Sequence, residues 1–245
     1  MCYSAQIASR ARTISTQTGQ PFEEALRRLI ELSSRRWTSA FGRPQVTILQ
    51  DSNQADVATW TFLGSWIKDL KEAGAQTAKT GVCRAEEMFD KPTFKNAARE
   101  RRCLIPVEAY FEHQHRGKLR VPYRFYRPNG EVFFLGGVWQ KWNQETTFAV
   151  CTMPPSLLAK WIHNNPNNAS GPRQPVILRN REEAERWLRG GGPETIKDLL
   201  QVREDDFVVA EITENQNDQS VGEIPTEPEG RPKNVIIRGQ MDLFG

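Results

Sequence analysis

The sequence predicts an α+β fold. Short runs of β-branched and aromatic residues recur along most of the chain, and a few amphipathic stretches lie between them without regular alternation. A doubly wound parallel sheet would alternate strands and helices regularly, so the pattern favours a sheet with peripheral helices. The chain has 245 residues, enough to bury a full core in one large domain or two small ones.

Three stretches have the spacing of helices. Residues 21–36 begin with a proline and two acids and then place apolar residues at helical intervals. Residues 91–102 become rich in basic side chains toward their end, and residues 181–188 are followed by three glycines that would end a helix. We therefore expect helices at these three places.

Eight runs are typical of strands because β-branched and aromatic residues dominate them. They are residues 46–49, 103–106, 109–112, 122–126, 132–139, 146–152, 175–178 and 207–212. Pro128-Asn129-Gly130 lies between two of these runs, and an Asn-Gly turn in that setting predicts a β-hairpin.

The composition predicts an intracellular, cytoplasmic protein with free thiols. The four cysteines include no C-x-x-C pair and only three histidines are present, so we expect no metal site and no cofactor. No apolar segment has the length of a membrane span or the form of a signal peptide.

Cys2 would become the first residue if the initiator Met1 were removed. The mature chain would then carry an α-amine, with a pKa of about 7.7–8.0, and a thiol on the same residue. Such an aminothiol condenses with an aldehyde through nitrogen and then closes through sulfur to a thiazolidine ring. The alternative is that Cys2 is a small apolar residue at an ordinary chain start.

Charge and aromatic residues suggest a nucleic-acid surface. The net charge is only +3, but residues 95–127 contain nine basic and three acidic side chains. This basic strip is either a solvated face or a surface that follows phosphates. Within the cluster of Trp60, Phe62 and Trp66 we expect Phe62 in the core, and the tryptophans either in the core or on a rim where bases stack.

Several polar residues are candidates for chemistry. Glu112 follows an aromatic run amid positive charge and is either a general acid or base or an ordinary surface carboxylate. His163 lies at a junction of apolar and polar residues, whereas His113 and His115 lie in a charged stretch and are expected to be solvated. Arg84 would contact phosphate or pair with a neighbouring acid.

A set of short motifs runs in order along residues 2–215. They are the N-terminal Met-Cys, Trp60 through Trp66 with Lys68-Asp69, Cys83-Arg84-Ala85-Glu86, Arg101-Arg102-Cys103-Leu104-Ile105-Pro106 leading into Tyr110-Phe111-Glu112, Gly136-Gly137-Val138-Trp139, Ile162-His163, and Arg173-Gln174-Pro175-Val176-Ile177-Leu178. In this order the set resembles the SOS-response-associated peptidase (SRAP) family, whose members crosslink to abasic sites in single-stranded DNA.

The resemblance implies a single compact domain around a curved, barrel-like antiparallel β-sheet, with a positively charged DNA channel. It implies that Cys2 is the crosslinking nucleophile and that Glu112 and His163 are further active-site residues. The implied activity is abasic-site crosslinking, with lyase and peptidase (autoprocessing) activity beside it, in DNA repair and the SOS response.

The resemblance also implies DNA contacts. Arg84 matches an arginine that contacts DNA near the lesion, and we expect Trp66 and Arg173 to bind DNA as well. The expected partner is single-stranded DNA with abasic sites. We expect the protein to be a monomer that associates with the nucleoid and does not contact a membrane.

Three departures from the family pattern bear on these roles. Val82 stands where the family usually has an asparagine, whose amide would have helped hold the sugar or the N-terminus. Tyr3 replaces the usual glycine after Cys2. Residues 164–172 look inserted before Arg173, which leaves the role of this arginine open.

The sequence predicts an SRAP-like domain over residues 2–228 and a flexible tail over residues 229–245, because the composition turns polar and proline-rich after Ile212. The tail carries Gln240-Met241-Asp242-Leu243-Phe244, which is similar to the Gln-Leu-(Ser/Asp)-Leu-Phe peptide by which bacterial proteins bind the sliding clamp. Gln240, Leu243 and Phe244 would make that contact. The alternative is that Leu243 and Phe244 dock on the same domain.

Two other functions fit parts of the sequence. An N-terminal-nucleophile amidohydrolase or peptidase would also expose Cys2, but it would use the α-amine as a base. A non-covalent single-stranded DNA-binding module would use the basic strip and the tryptophans. Only covalent capture predicts an adduct with aldehyde-bearing DNA that survives denaturation.

Overall fold

The computed structural model of the chain describes residues 4–7, 38–51, 54–128, 130–203, 208–211 and 235–236. Cys2, the helix predicted over residues 21–36 and the predicted clamp-binding residues Gln240, Leu243 and Phe244 lie outside the described residues.

The described part of the chain contains thirteen strands and four α-helices. The strands are β1 (Ser4–Ile7), β2 (Thr38–Ser39), β3 (Gln45–Leu49), β4 (Ala55–Trp60), β5 (Val82–Arg84), β6 (Arg102–Arg116), β7 (Leu119–Tyr126), β8 (Phe133–Trp142), β9 (Glu145–Met153), β10 (Gln174–Pro175), β11 (Ile177–Leu178), β12 (Val208–Glu211) and β13 (Val235–Ile236). The helices are α1 (Leu70–Thr80), α2 (Lys95–Glu100), α3 (Leu157–Ile162) and α4 (Arg181–Leu188). The predicted α+β class is confirmed, and none of these helices is long and apolar enough to cross a membrane.

The long strand β6 organises a single sheet. Its first half pairs with β8 and its second half pairs with β7, while β1 and β3 also pair with it. Strands β8, β9, β4, β3 and β6 pair in that order, and β6 pairs again with β8, so these five strands close into a ring. Most pairs are antiparallel, but β4 and β5 run parallel to β9, and β12 runs parallel to β13. Strand β13 falls within the predicted tail.

The β-hairpin predicted at the Asn-Gly turn is wrong, because the two strands that flank the turn do not pair with each other. The backbone does turn there, since the N–H of Gly130 donates to the carbonyl of Arg127 (2.9 Å). However, β7 and β8 pair with successive parts of β6 and not with each other. The runs 103–106 and 109–112 are one continuous strand, which is long enough to pair with both.

Both faces of the sheet are covered by hydrophobic side chains. In β9, Phe148 and Val150 belong to one buried cluster, whereas Ala149 and Cys151 belong to another. This division follows because successive side chains of a strand point to opposite faces. Strand β9 is therefore buried along almost its whole length.

Two arginines of the predicted basic strip are buried. Arg102 begins β6, and its guanidinium donates to four backbone carbonyls, those of Ala98, Trp187, Gly190 and Gly191. Arg116 ends the same strand and donates to the side chains of Gln114 and Tyr123. The basic strip is therefore interrupted, because these two guanidinium groups form hydrogen bonds inside the protein and do not lie at the surface.

Candidate active site

Glu112 projects from β6 into the interior. Alternate residues of this strand, Glu112, Gln114 and Arg116, are buried, since they share one face of the sheet. Burial raises the pKa of the Glu112 carboxyl to about 7, against a smaller lowering effect of the positive charge at the amino terminus. The carboxyl therefore changes its protonation state near neutral pH.

His163 is held at the end of α3. Ser156 caps the start of this short helix by accepting a hydrogen bond from the N–H of Ala159 (3.2 Å). The imidazole of His163 is buried, and its Nδ1 lies 3.9 Å from Oε2 of Glu112. Burial lowers the pKa of His163 to about 4, so the ring is neutral at neutral pH.

The contact between Glu112 and His163 joins two groups that do not form an ion pair. Between about pH 4 and about pH 7 the imidazole is neutral and the carboxyl is protonated, and above that range a carboxylate faces a neutral ring. Buried titratable groups whose pKa values are strongly shifted are typical of functional sites. The structure thus brings together two of the three predicted catalytic residues.

The first described strand, β1, pairs with β6 next to Glu112. Strand β1 runs antiparallel to β6, with Ser4 opposite Phe111, the neighbour of Glu112. Two residues of fully extended chain span about 7 Å at most. Cys2, which lies outside the described residues, is therefore tethered within that distance of Ser4.

The segment predicted as an insertion lies against the pair. The side chain of Asn164 accepts a hydrogen bond from the N–H of His115 (2.7 Å) and donates to its carbonyl (3.1 Å), which fastens the segment to β6. Nδ2 of Asn168 lies 3.2 Å from Nε2 of His163. His115, predicted to be solvated, is half-buried as a result. The sequence prediction missed both asparagines, and the Asn-Asn-Pro-Asn-Asn run after His163 is its only signal for them.

Arg173 is buried, and its guanidinium is engaged inside the protein. It forms a two-pronged ion pair with Glu86 (2.6 and 2.7 Å) and donates to the hydroxyl and the carbonyl of Thr152 (3.1 and 2.9 Å). Its backbone carbonyl lies 3.0 Å from Nδ1 of His163. These contacts connect the histidine to β9, and the DNA contact expected of Arg173 stays a prediction.

Arg84, at the end of β5, is the more accessible arginine. Its side chain is 37% exposed and pairs with Glu87 at 2.7 Å, which lowers the pKa of that carboxyl. Val82, in the same strand, is buried in the hydrophobic cluster that contains Ile162. The ion pair of Arg84 with Glu87 is partly exposed on both sides, with 37% and 35% of the two side chains accessible.

The tryptophans of the aromatic cluster have different environments. Trp60 is fully buried, and its indole N–H donates to the carbonyl of Gly81 (2.8 Å), so it belongs to the core together with Phe62. Trp66 is 50% exposed. Its ring lies over Gly64, where a Cβ would come within 1.8 Å of the indole. Within this cluster, Trp66 is the residue that lies at the surface.

The cysteines that the structure describes are buried free thiols, as predicted. They are Cys83, Cys103 and Cys151. Among the residues that the structure describes, no group of three or more His, Cys, Asp or Glu side chains could hold a metal ion.

Comparison with known sequences finds one family and several relatives. A sequence model described as SOS response associated peptidase (SRAP) matches residues 1–219. The abasic site processing protein YoqW of Bacillus subtilis is 29% identical over 166 residues, which cover 64% of this chain and 68% of that protein. The abasic site processing protein HMCES of Gallus gallus is 24% identical over 154 residues, which cover 53% of this chain and 43% of that protein.

Crystal structures of two bacterial proteins share the fold. A protein from Bacteroides thetaiotaomicron superposes with a TM-score of 0.71 at 24% identity, over 86% of this chain and 92% of that chain. A protein from Bordetella bronchiseptica superposes with a TM-score of 0.69 at 21% identity, over 86% of this chain and 100% of that chain.

Proposed function

The chain belongs to the SOS response associated peptidase (SRAP) family, and we propose that it processes abasic sites in single-stranded DNA by forming a covalent crosslink through Cys2. The observation that carries the proposal is that Ser4, two residues after Cys2, pairs with Phe111, the neighbour of Glu112, whose carboxyl lies 3.9 Å from the imidazole of His163. Relatives named abasic site processing proteins support the choice of lesion.

The chemistry follows from the aldehyde of the open-chain abasic sugar. Once Met1 has been removed, the Cys2 amine adds to the aldehyde carbon, and loss of water from the carbinolamine gives an imine. The thiol then adds across the carbon–nitrogen double bond, and its proton ends on nitrogen. In the thiazolidine product one C–N and one C–S bond have formed and the carbonyl oxygen has left as water, so no oxidant or reductant is required.

Glu112 is the group best suited to move the protons. Departure of water from the carbinolamine needs a proton donor, and a carboxyl with a pKa of about 7 still holds its proton close to neutral pH. After donation, the carboxylate faces the neutral imidazole of His163 at 3.9 Å. Glu112 is thus the proposed general acid, and His163 supports its charged form.

Arg84 and Trp66 are the proposed DNA contacts. The exposed guanidinium of Arg84 would exchange Glu87 for a phosphate, and the exposed indole of Trp66 would stack on a base next to the lesion. Arg173 would bind a phosphate only if the phosphate replaced Glu86 in its ion pair with this arginine.

The tail is proposed to bind a bacterial sliding clamp through Gln240, Leu243 and Phe244, which would bring the protein to replication forks during the SOS response. Its motif follows the region matched by the family model. Removal of residues 240–245 should abolish binding to purified clamp and leave crosslinking without clamp unchanged. Equal clamp binding by the full and truncated chains would contradict this role.

A denaturing gel tests covalent capture. The protein, with loss of Met1 confirmed, is mixed with a single-stranded oligonucleotide that carries one abasic site, or with the same oligonucleotide carrying a tetrahydrofuran analogue that lacks the aldehyde. We expect a shifted band with the abasic site alone, and none from Cys2→Ala.

The absence of a band from the unmodified protein would overturn covalent capture. In that event, DNA binding that survives Cys2→Ala would support a non-covalent binding module. Amide hydrolysis that depends on Cys2 would instead support an N-terminal-nucleophile hydrolase.

A further inference from the structure

The segment between His163 and Arg173 folds back onto the imidazole. Nδ2 of Asn168 lies 3.2 Å from Nε2 of His163, on the side of the ring opposite Glu112. Asn168 itself is half-buried, and it lies five residues after the histidine. The contact therefore depends on the local backbone conformation of the segment 164–172.

The orientation of the Asn168 amide is fixed by two backbone groups. Its Oδ1 accepts a hydrogen bond from the N–H of Ser170 (3.1 Å), and its Nδ2 donates to the carbonyl of Gly171 (2.6 Å). The reverse orientation would set oxygen against the Gly171 carbonyl and an NH₂ group against the Ser170 N–H, and both contacts would be repulsive. The second hydrogen of Nδ2 is thus the one that faces His163.

This orientation decides which imidazole nitrogen carries the proton. A neutral ring has one donor and one acceptor nitrogen, and Nε2 must accept from Asn168. The proton is therefore on Nδ1, which donates to the carbonyl of Arg173 (3.0 Å). The N–H of Arg173 also points at Nδ1 from 3.2 Å, a contact that would favour an unprotonated Nδ1. The Asn168 amide outweighs it in this inference, because two backbone groups fix its orientation.

We infer that Asn168 is a positioning residue that holds His163 in its neutral form with the proton on Nδ1, the ring nitrogen that lies 3.9 Å from Oε2 of Glu112. Glu112 then remains the group that exchanges a proton near neutral pH. The kinetic part of this inference rests on the proposed function, whereas the tautomer itself does not.

Most of the other groups around the ring also disfavour the imidazolium form. Burial lowers the pKa of His163 most, the positive amino terminus and the charges of His115 and Arg173 lower it further, and the bond to the Arg173 carbonyl raises it. A donor aimed at Nε2 also disfavours a second proton there. Glu112 approaches from β6, on the Nδ1 side.

Nitrogen-15 NMR of histidine-labelled protein without DNA tests the tautomer. The chain has three histidines, and His163→Gln identifies the signals of His163. We expect Nδ1 protonated and Nε2 unprotonated at neutral pH. Asn168→Asp keeps an acceptor for Ser170 but replaces the donor by a carboxylate, so it should move the proton to Nε2.

Asn167→Ala is the matched control, because this exposed neighbour has no side-chain contact to His163 among the described hydrogen bonds. It should leave the signals of His163 unchanged. A protonated Nε2 in the unmodified protein, or an Asn168→Asp spectrum identical to it, would overturn the inference, and neither result depends on crosslinking.

Crosslinking rates give a second readout. Asn168→Ala should slow the reaction about fivefold, the factor expected for one neutral hydrogen bond, and Asn167→Ala should not slow it. Asn168→Asp should change the pH dependence of the rate as well, because the imidazole would then be protonated at higher pH. Identical rates and pH profiles for all three variants would remove the positioning role.

Discussion

Oε2 of Glu112 lies 3.9 Å from Nδ1 of His163, with 5% of the glutamate and 6% of the histidine exposed. The same burial raises the pKa of the carboxyl and lowers that of the imidazole, because it disfavours the charged form of each group. The usual order of titration is thereby reversed. Near neutral pH the exchangeable proton of the pair belongs to Glu112.

The rate of crosslinking should fall as the pH rises through about 7, since Glu112 then loses its proton. The Cys2 amine has a pKa of about 7.7–8.0 and imposes the opposite dependence, so the profile should be bell-shaped. Glu112→Gln should lower the rate by about 10²-fold and remove the descending limb. Time courses on denaturing gels across the neutral range check this, and a descending limb that persists in the variant would assign it to another group.

Glu112→Gln should also stabilise the protein at high pH. A carboxyl with a folded-state pKa raised from 4.5 to about 7 contributes stability that is present at low pH and lost as the pH rises through about 7. Above that pH the buried carboxylate costs about 3 kcal/mol, and the amide avoids this cost.

The measurement is the free energy of unfolding in urea for both proteins, below the ordinary pKa of glutamate and again above neutrality. The advantage of Glu112→Gln should grow between the two conditions. His163 has the opposite dependence, because its pKa is lowered, but it is present in both proteins and drops out of the difference. A difference that is constant with pH would contradict a buried, titrating carboxyl.

Arg84→Gln should weaken binding to single-stranded DNA and reduce its salt dependence. The slope of log affinity against log salt should fall by about 0.7, the value for one phosphate contact on a single strand. Glu87→Gln should strengthen binding, because it releases Arg84 from its ion pair. Lys91→Gln is the control for net charge, since Lys91 also pairs with Glu87, at 3.4 Å. Fluorescence anisotropy in the Cys2→Ala background measures reversible binding, and an unchanged slope for Arg84→Gln would exclude the phosphate contact.

Trp66→Ala should weaken binding to single-stranded DNA by about 1–3 kcal/mol through the loss of base stacking. Gly64→Ala should act in the same direction, because a Cβ at that position must displace the exposed indole. Phe41→Ala removes another exposed aromatic ring, 63% exposed, and is the control. Anisotropy titrations compare the three variants. An equal loss for Phe41→Ala would mean that the effect is not specific to Trp66.

Local elements of the fold could be predicted from the sequence, and their pairing could not. The run 146–152 and the helix 181–188 were recognisable because composition and flanking glycines act locally. The hairpin at Gly130 was wrong because the partner of both flanking strands is β6, and no residue near the turn encodes this long-range choice. The helix predicted over residues 91–102 is limited to α2, since Arg102 is already the first residue of β6.

The candidate site also combines residues that the sequence could predict with contacts that it could not. Glu112 and His163 could be named from motifs, but their separation depends on how α3 meets β6. The ion pair of Arg173 joins it to Glu86, 87 residues away, so burial of this arginine could not be read from its neighbours. The contact of Asn168 depends on the path of a segment that follows no repeating pattern.

The intact mass of the product tests the central claim, covalent capture through Cys2, most directly. With an abasic oligonucleotide we expect the mass of the protein lacking Met1 plus that of the oligonucleotide, less one water, with fragmentation placing the bond on Cys2. Borohydride should leave this mass unchanged, because a thiazolidine has no carbon–nitrogen double bond to reduce. The absence of this species, or an adduct on a lysine that borohydride reduces, would contradict capture by the N-terminal cysteine.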